Sequence, residues 1–559
     1  MGKFNRLLVA SNFLGAITSI AILGFLFDSG HLENDFAQMY SVASNVALGN
    51  GFQTSLIFYD SHYAFGGSPV PQTVFPPGYA AMVAPFLVLG FPGYATILVF
   101  TLGAFVGSGV LVACIGRLLG CRDALCIVLS SVWYFIGANW ANVLILRSEV
   151  FFCFFTTAAL YCLVRWSAGS GRLSLWLSLV GVFAGVAFLF RYQGIFFIAA
   201  VGLVFALRAL QLRTRVALRD MAVVCSIPTA VFVWTILYNW QIAGGVGGGP
   251  IDQVQHSAPL ALVALGFYYE FSRILGVSQD GLASGGASEL FMLALLCWLM
   301  YAAAQKRFWK AVWGGTFDSV PAATCVAYGM LSVAALVYLS AAKSTGFMQA
   351  RYLSVLAPFV LVWILGVAPR QQGTKRSGRS VGGLGLFFLV GFLVFGQARA
   401  IGDQLADWRS DDRLARIRSA LNDTIQGVAI RTLLRSEIDA GHHVMAFQSQ
   451  LLGHDLERTT FGFTPSLYTS RIFDFDEVER LARQYRIRYL VHFPQLYDQN
   501  TVENRNRVAL TRLQNGQKPG WLSLLVDHRE IQVYEVHVDR QGSPVTPGND
   551  VLNDHARSQ

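Results

Sequence analysis

Residues Asp35–Phe52 read D-F-A-Q-M-Y-S-V-A-S-N-V-A-L-G-N-G-F, and the stretch that opens there closes on F-P-P-G-Y at Phe75–Tyr79. It follows a single apolar run, residues 7–27, and is therefore expected just outside a membrane. The formal charges of the loop that holds it, residues 28–75, are Asp28, Glu33, Asp35 and Asp60, with no Lys or Arg among them. Ala37, Tyr40, Val42, Ala43, Val46 and Ala47 make a partly apolar face, which predicts a helix over 34–48 lying along the membrane surface. Asp35 begins that helix, and two readings of it stand. It is either a first-turn acid that stabilises the helix by about 1 kcal/mol, or a carboxylate that serves a site. G-N-G-F at 49–52 supplies a glycine stop, and F-P-P-G-Y reads as a rigid turn re-entering the membrane.

The rest of the chain supplies that membrane. Of 559 residues, 54% are hydrophobic and 13% charged, and the apolar residues recur in runs of about 17–25, the length of a helix crossing roughly 30 Å of hydrocarbon. Eleven spans are predicted, at 7–27, 94–116, 124–141, 148–164, 174–190, 193–210, 221–240, 287–304, 320–341, 352–368 and 382–398. The net charge of +9 sits mostly between those runs, as topology signals do, which argues against nucleic-acid binding. Lys3, Arg6, Arg117, Arg122, Arg165, Arg172, Arg208, Arg213, Arg215, Arg219, Lys306, Arg307, Lys310, Arg370, Lys375, Arg376 and Arg379 fall in one set of loops. The other set carries only Arg147, Arg191, Arg273, Lys343 and Arg351. The first set is expected to be cytoplasmic, with the N-terminus inside as an uncleaved signal-anchor and everything after about residue 399 outside. All eight cysteines lie in or beside apolar runs without a CxxC, and are expected to be packing residues.

The domain organisation expected is a membrane domain over 1–400, with a large first exterior loop at 28–75, an exterior domain over 401–540 and a disordered polar tail at 541–559. Within the exterior domain, 405–435 has helical spacing, V-M-A-F at 444–447 reads as a strand and D-E-V-E-R-L-A-R-Q-Y at 476–485 as a helix. Y-L-V-H-F at 489–493 and I-Q-V-Y-E-V at 531–536 read as further strands. The fold class is thus an all-α polytopic membrane protein with a small exterior C-terminal α/β domain. No repeated halves are present, which counts against a secondary transporter.

Several polar groups stand at the ends of predicted spans. R-S-E at 147–149 opens the fourth span, where Glu149 either favours the helix N-terminus or faces a polar cavity. Arg191, in F-R-Y-Q-G, and Arg351, in Q-A-R-Y, are interface arginines that either snorkel or clamp a phosphate with their planar forks. Lys343 shares a short loop with Arg351. The glycine run Y-N-W-Q-I-A-G-G-V-G-G-G-P at 238–250 lacks a G-K-[ST] ending and reads as a flexible lid rather than a nucleotide loop. His31, His62 and His256 have no metal-ligand spacing.

Together these motifs resemble the GT-C membrane glycosyltransferases, in particular bacterial relatives of dolichyl-phosphate-mannose-protein mannosyltransferases and lipid A aminoarabinose transferases. The resemblance covers residues 1 to about 400. It rests on Y-x-x-A-x-N-x-A-x-G-x-G-F at Tyr40–Phe52, P-P-G-Y at Pro76–Tyr79, Ser148–Glu149, the glycine-rich stretch Gly181–Gly194 and A-R-Y-L at Ala350–Leu353. It implies a GT-C fold of about eleven transmembrane helices, in a bacterial inner membrane. It further implies a sugar moved from a polyprenyl-phosphate carrier to a glycan, lipid or protein acceptor at the exterior, periplasmic face. Asp35 becomes the expected catalytic base, with Glu149 as the second catalytic carboxylate. Tyr40, Tyr79, Arg191, Lys343, Arg351 and Tyr352 become the expected substrate-binding residues. Many relatives have a D-E pair in the first loop, whereas Phe36 follows Asp35 here, so whether Glu33 or another neighbour assists or helps hold a divalent metal ion stays open. A glycan ligase of the same fold and an anion transporter are the alternatives. From the loop charges, a reporter fused after Arg409 is expected to be active only in the exterior compartment; a cytoplasmic signal there contradicts the odd number of spans.

Overall fold

The computed structural model describes residues 2–29, 34–59, 62–63, 65, 67–121, 123–169, 173–243, 263, 320–342, 350–360, 413–422, 425–465, 469, 471–498, 501, 504–528 and 530–538. The predicted spans at 287–304 and 382–398, Glu33, His31, His256, Lys343, the glycine run at 244–249 and the end from Gln541 lie outside those residues. The chain divides into two compact units. One comprises Met1–Phe36, Thr73–Gly247 and Gln255–Asp412; the other comprises Ala37–Gln72, Gly248–Val254 and Arg413–Gln559.

The first unit is helical. Its described helices are α1 (Gly2–Ser29), the start of α2 (Asn34–Ala47), α3 (Gly78–Val88), α4 (Gly93–Leu118), α5 (Asp123–Phe135), α6 (Gly137–Leu144), α7 (Glu149–Ser167), α8 (Leu173–Phe190), α9 (Gly194–Leu212), α10 (Arg215–Ala243), α11 (Val320–Ala342) and α12 (Ala350–Ser354). Among the described residues, α4, α7, α9, α10 and α11 are long and apolar enough to cross a membrane, and shorter apolar stretches occupy Val9–Ile22, Gly78–Val88, Leu125–Phe135 and Ser174–Phe190. This is an integral membrane protein. Packing runs from α7 to α8 and from α8 to α10. A Cβ on Gly181 would lie 2.8 Å from the Val224 carbonyl oxygen, so the glycines of α8 set how closely α10 approaches.

Two predicted spans differ from the structure. The stretch 124–141 is not one helix: it breaks at Ile136, whose backbone is extended at φ −70°, ψ 115°. The carbonyls freed at the break are taken up by side chains, the Asn139 amide donating to Trp133 O and the Trp140 indole to Tyr134 O. The helix expected over 352–368 starts at Ala350 and turns after Ser354. F-P-P-G-Y, read as a turn, also opens the helix α3.

The second unit is built on a six-stranded sheet. Its strands are β2 (Leu56–Ile57), β4 (His443–Ala446), β5 (Thr460–Gly462), β6 (Ile487–His492), β7 (Leu522–Asp527) and β8 (Gln532–Val536), in the order β2-β5-β4-β6-β8-β7. The first four in that order are parallel, while β8 runs antiparallel to β6 and β7. Part of the first loop therefore belongs to this sheet rather than to the helical unit, because Leu56 and Ile57 find their backbone partners on β5. A short ribbon of β1 (Gln53–Thr54) and β3 (Val70–Pro71) flanks that strand in sequence. Ile57, Phe461, Met445, Leu490 and Tyr534 line one sheet face beneath Val478, Leu481 and Ala482 of the helix Phe475–Tyr485. Asp474 caps that helix by accepting from the Glu477 amide at 2.9 Å.

The loop is pinned by α2. Gln38 donates to Thr54 Oγ1 at 2.8 Å and to the Leu56 carbonyl at 3.1 Å, and Asn45 donates to Ser55 Oγ at 3.0 Å. Gly49, at φ +84°, ends the helix in the expected way, with its amide on Val46 O and the Asn50 amide on Asn45 O. His62 sits fully buried where the loop turns back. Its Nδ1 accepts from the Phe58 and Tyr59 amides at 3.3 and 3.4 Å, leaving Nε2–H for Gln72 Oε1 at 3.1 Å. Burial pushes it down to about 4. His492, at the end of β6, is likewise pushed to about 4 by burial. Both imidazoles are neutral when folded and titrate near 6.5 when unfolded, so between those values the unfolded chain takes up protons that the folded chain refuses. Stability tied to these groups is complete above about pH 6.5 and is lost as the pH falls toward 4, by on the order of 3 kcal/mol per histidine. Thermal unfolding of the detergent-solubilised protein is expected to shift down between pH 7 and pH 5, and less so in His492→Phe; equal shifts in the two proteins contradict this assignment.

Candidate active site

At one end of the helical unit, several chain breaks face each other. The α6 helix ends in a capping loop: the Leu146 amide bonds to Val143 O at 3.1 Å and the Arg147 amide to Asn142 O at 2.9 Å. The residue that this loop needs in the left-handed region is normally glycine, yet Leu146 holds φ +54°, a conformation that costs an ordinary side chain roughly 1–2 kcal/mol. The turn delivers Ser148 and Glu149 directly to the first turn of α7. Across from it, Arg191 follows the last residue of α8.

The two charges meet. Arg191 donates from Nη2 to Glu149 Oε1 at 2.7 Å, and the side chains are 10% and 2% exposed. Ser148 Oγ lies 3.5 Å from the other carboxylate oxygen. Each charge stands at the helix end that favours it, the carboxylate at an N-terminus and the guanidinium just beyond a C-terminus. The guanidinium also lies over the Tyr352 ring, 5.5 Å from its centroid. Gln193 donates to the Tyr352 carbonyl at 3.2 Å, and Asn142 joins Ser354 Oγ to Arg147 at 3.3 Å each. Tyr192 donates to Thr73 O at 2.9 Å and receives from Asn239 at 3.2 Å. Carboxylate, guanidinium and phenol are thus brought together from α7, the α8–α9 junction and α12.

The other expected site residues fall as follows. Asp35 is half-buried in the first turn of α2. Tyr40 meets His454 edge-on at 5.4 Å, and burial, followed by the charge of Glu457, pushes its phenol up, so it remains a neutral hydroxyl. Tyr79 is buried, with its hydroxyl donated to the Leu146 carbonyl at 3.1 Å. Arg351 lies in α12 beside Tyr352, and Lys343 lies outside the described residues. Asn142, Leu146, Gln193 and Asn239 were not singled out from sequence. The asparagines carried a signal, since amides inside apolar spans need partners; Leu146 carried none, because a leucine does not announce a left-handed turn. None of the seven described cysteines forms a disulfide.

The family model of dolichyl-phosphate-mannose-protein mannosyltransferases matches residues 93–243, the stretch that carries both Glu149 and Arg191. Among solved structures, ArnT from Cupriavidus metallidurans bound to undecaprenyl phosphate is similar at a TM-score of 0.52 and 12% identity, over 95% of this chain and 98% of that one. The apo oligosaccharyltransferase of Archaeoglobus fulgidus is similar at 0.51 and 12% identity, over 88% and 70%. The arabinofuranosyltransferase AftD from Mycobacteria is similar at 0.50 and 12%, over 94% of this chain and 41% of that one. No curated protein matches by sequence. The chain has the GT-C fold and resembles the GT-C membrane glycosyltransferases.

Removing one member of the buried pair leaves the other charge without compensation, which costs about 3–5 kcal/mol. Glu149→Gln and Arg191→Gln are each expected to lower unfolding stability in detergent strongly, and the double variant by much less than their sum. Additive losses in that double-mutant cycle contradict a direct pair.

Proposed function

We propose that this protein is a membrane glycosyltransferase that moves a sugar from a polyprenyl-phosphate carrier to an acceptor hydroxyl at the exterior, periplasmic face of a bacterial inner membrane. The observation that carries the reading is the buried Glu149–Arg191 pair under Tyr352, inside the stretch matched by the mannosyltransferase model. The GT-C fold, shared with a protein captured with undecaprenyl phosphate, supports it further. The partners are then the lipid-linked donor, the surrounding lipid and a glycan, lipid or protein acceptor.

The reaction in this reading is a single displacement. The acceptor oxygen attacks the anomeric carbon from the side opposite the phosphate, its proton passes to the Asp35 carboxylate, and the carbon–oxygen bond to the carrier breaks. The configuration inverts and polyprenyl phosphate leaves. Its growing negative charge is met by Arg191, whose fork has donors besides the one directed at Glu149, with Arg351 and Lys343 as further cations. Glu149 fixes the orientation of that fork. Tyr40 and Tyr352 complete the set of residues assigned here to substrate handling. Among the described residues no three His, Cys, Asp or Glu side chains stand together to hold a metal ion. Likeness to the Archaeoglobus oligosaccharyltransferase favours one variant of this scheme, transfer of a whole glycan from the carrier; activity as a function of donor glycan length separates the two.

Asp35→Asn keeps the shape of the side chain and its capacity to cap a helix but removes its basicity. The variant is expected to fold, insert and bind the lipid carrier, with transfer lowered by roughly 10²–10⁴. Asp60→Asn is expected to be much milder. Near-parental transfer by Asp35→Asn at matched expression means that the base lies elsewhere, with Glu149 next in line.

A further inference from the structure

We propose that Tyr79 is a positioning residue that, with Gly78, sets the Glu149–Arg191 pair by holding the two chain breaks that carry it. One dipeptide touches both breaks. The Tyr79 hydroxyl donates to the carbonyl of Leu146, the residue held at φ +54° three positions before Glu149. The Tyr79 ring packs edge-on against Phe151 of α7 at 5.9 Å, and Phe151 stacks on Phe190, the residue before Arg191, at 5.1 Å. On the other side, a Cβ added at Gly78 would lie 2.5 Å from the Leu189 carbonyl oxygen and 2.8 Å from its carbon. Only glycine lets the start of α3 sit flush on the last turn of α8, two residues before Arg191.

The left-handed turn at Leu146 needs such a hold. An ordinary side chain in that region persists only where its surroundings over-determine it, and such turns gather where a neighbour must be aimed. The hydroxyl bond from Tyr79 falls on the carbonyl of the strained residue itself. Tyr79 is 1% exposed, and its polar atom is directed at the backbone, so its part in transfer runs through Glu149 and Arg191 rather than through substrate. This inference rests on the reading that the pair serves the transfer reaction.

The test uses the full-length protein in detergent or nanodiscs, with Tyr79→Phe as a volume-conserving variant, and two readouts. Hydrogen exchange over residues 142–155 needs no activity. It is expected to quicken in Tyr79→Phe at the turn around Leu146 and to stay unchanged in α4. Turnover of the polyprenyl-phosphate sugar is expected to fall roughly tenfold in kcat, with KM for the donor within twofold, as a misaimed group rather than a lost contact would give. Tyr134→Phe, which removes a comparably buried hydroxyl bond to the Val106 carbonyl, is expected to leave both readouts parental. Unchanged exchange around Leu146, or a rise in KM with kcat preserved, overturns the proposal. A parent protein inactive with every donor refutes the proposed function instead, and the exchange measurement still decides the role of Tyr79.

Discussion

Burying a carboxylate and a guanidinium against each other is costly unless the geometry is good and the remaining polar atoms are satisfied. The ion pair between Glu149 and Arg191 meets that condition through its surroundings. Its 2.7 Å contact joins residues 42 positions apart, each at a helix end whose dipole favours its charge. The chain breaks that present them are held by the Arg147 amide on the Asn142 carbonyl, the Gln193 side-chain amide on the Tyr352 carbonyl and the Tyr79 hydroxyl on the Leu146 carbonyl. Gly78 and Gly194 keep the junction tight, since a Cβ on Gly194 would strike the Phe188 backbone at 2.6 Å.

Much of this was legible in sequence as separate parts. Glu149 was read either as a helix-start acid or as a carboxylate facing a polar cavity, Arg191 either as a snorkelling cation or as a phosphate clamp, and neither reading pointed to the other residue. The pairing depends on α7 packing beside α8 and on where each helix stops, and stopping points are what hydropathy resolves least. The same limit explains the span at 124–141: its apolar run is continuous, and the break at Ile136 is affordable only because Asn139 and Trp140 cover the exposed carbonyls. Gly49, by contrast, was readable as a helix stop because a left-handed terminus favours glycine. The left-handed turn at Leu146 broke that rule and stayed hidden.

The second unit shows another boundary of sequence reading. Strands near 444–447, 489–493 and 531–536 and the helix at 476–485 were visible from alternation and helical period, and correspond to β4, β6, β8 and Phe475–Tyr485. The strand Leu56–Ile57 was not, because two residues carry no periodicity and its partner lies some four hundred positions away on β5. What looked like a loop of the membrane part is joined to this sheet by parallel pairing and by the Tyr63 hydroxyl, which donates to the Gly462 carbonyl. The helix that begins with Asp35 is tied to that loop through Gln38 and Asn45.

The proposed transfer from a lipid phosphate rests on the GT-C fold, on the stretch that matches the mannosyltransferase model and on a buried guanidinium paired with one carboxylate. The most direct measurement is to incubate the purified full-length protein in nanodiscs with a panel of radiolabelled polyprenyl-phosphate sugars and membrane extract, following both released polyprenyl phosphate and labelled acceptor. The account predicts that at least one donor is consumed, with label moving to the acceptor fraction as free polyprenyl phosphate appears. If every donor stays intact while an anionic solute crosses the membrane when the protein is reconstituted in sealed vesicles, the protein is a transporter and the account is contradicted.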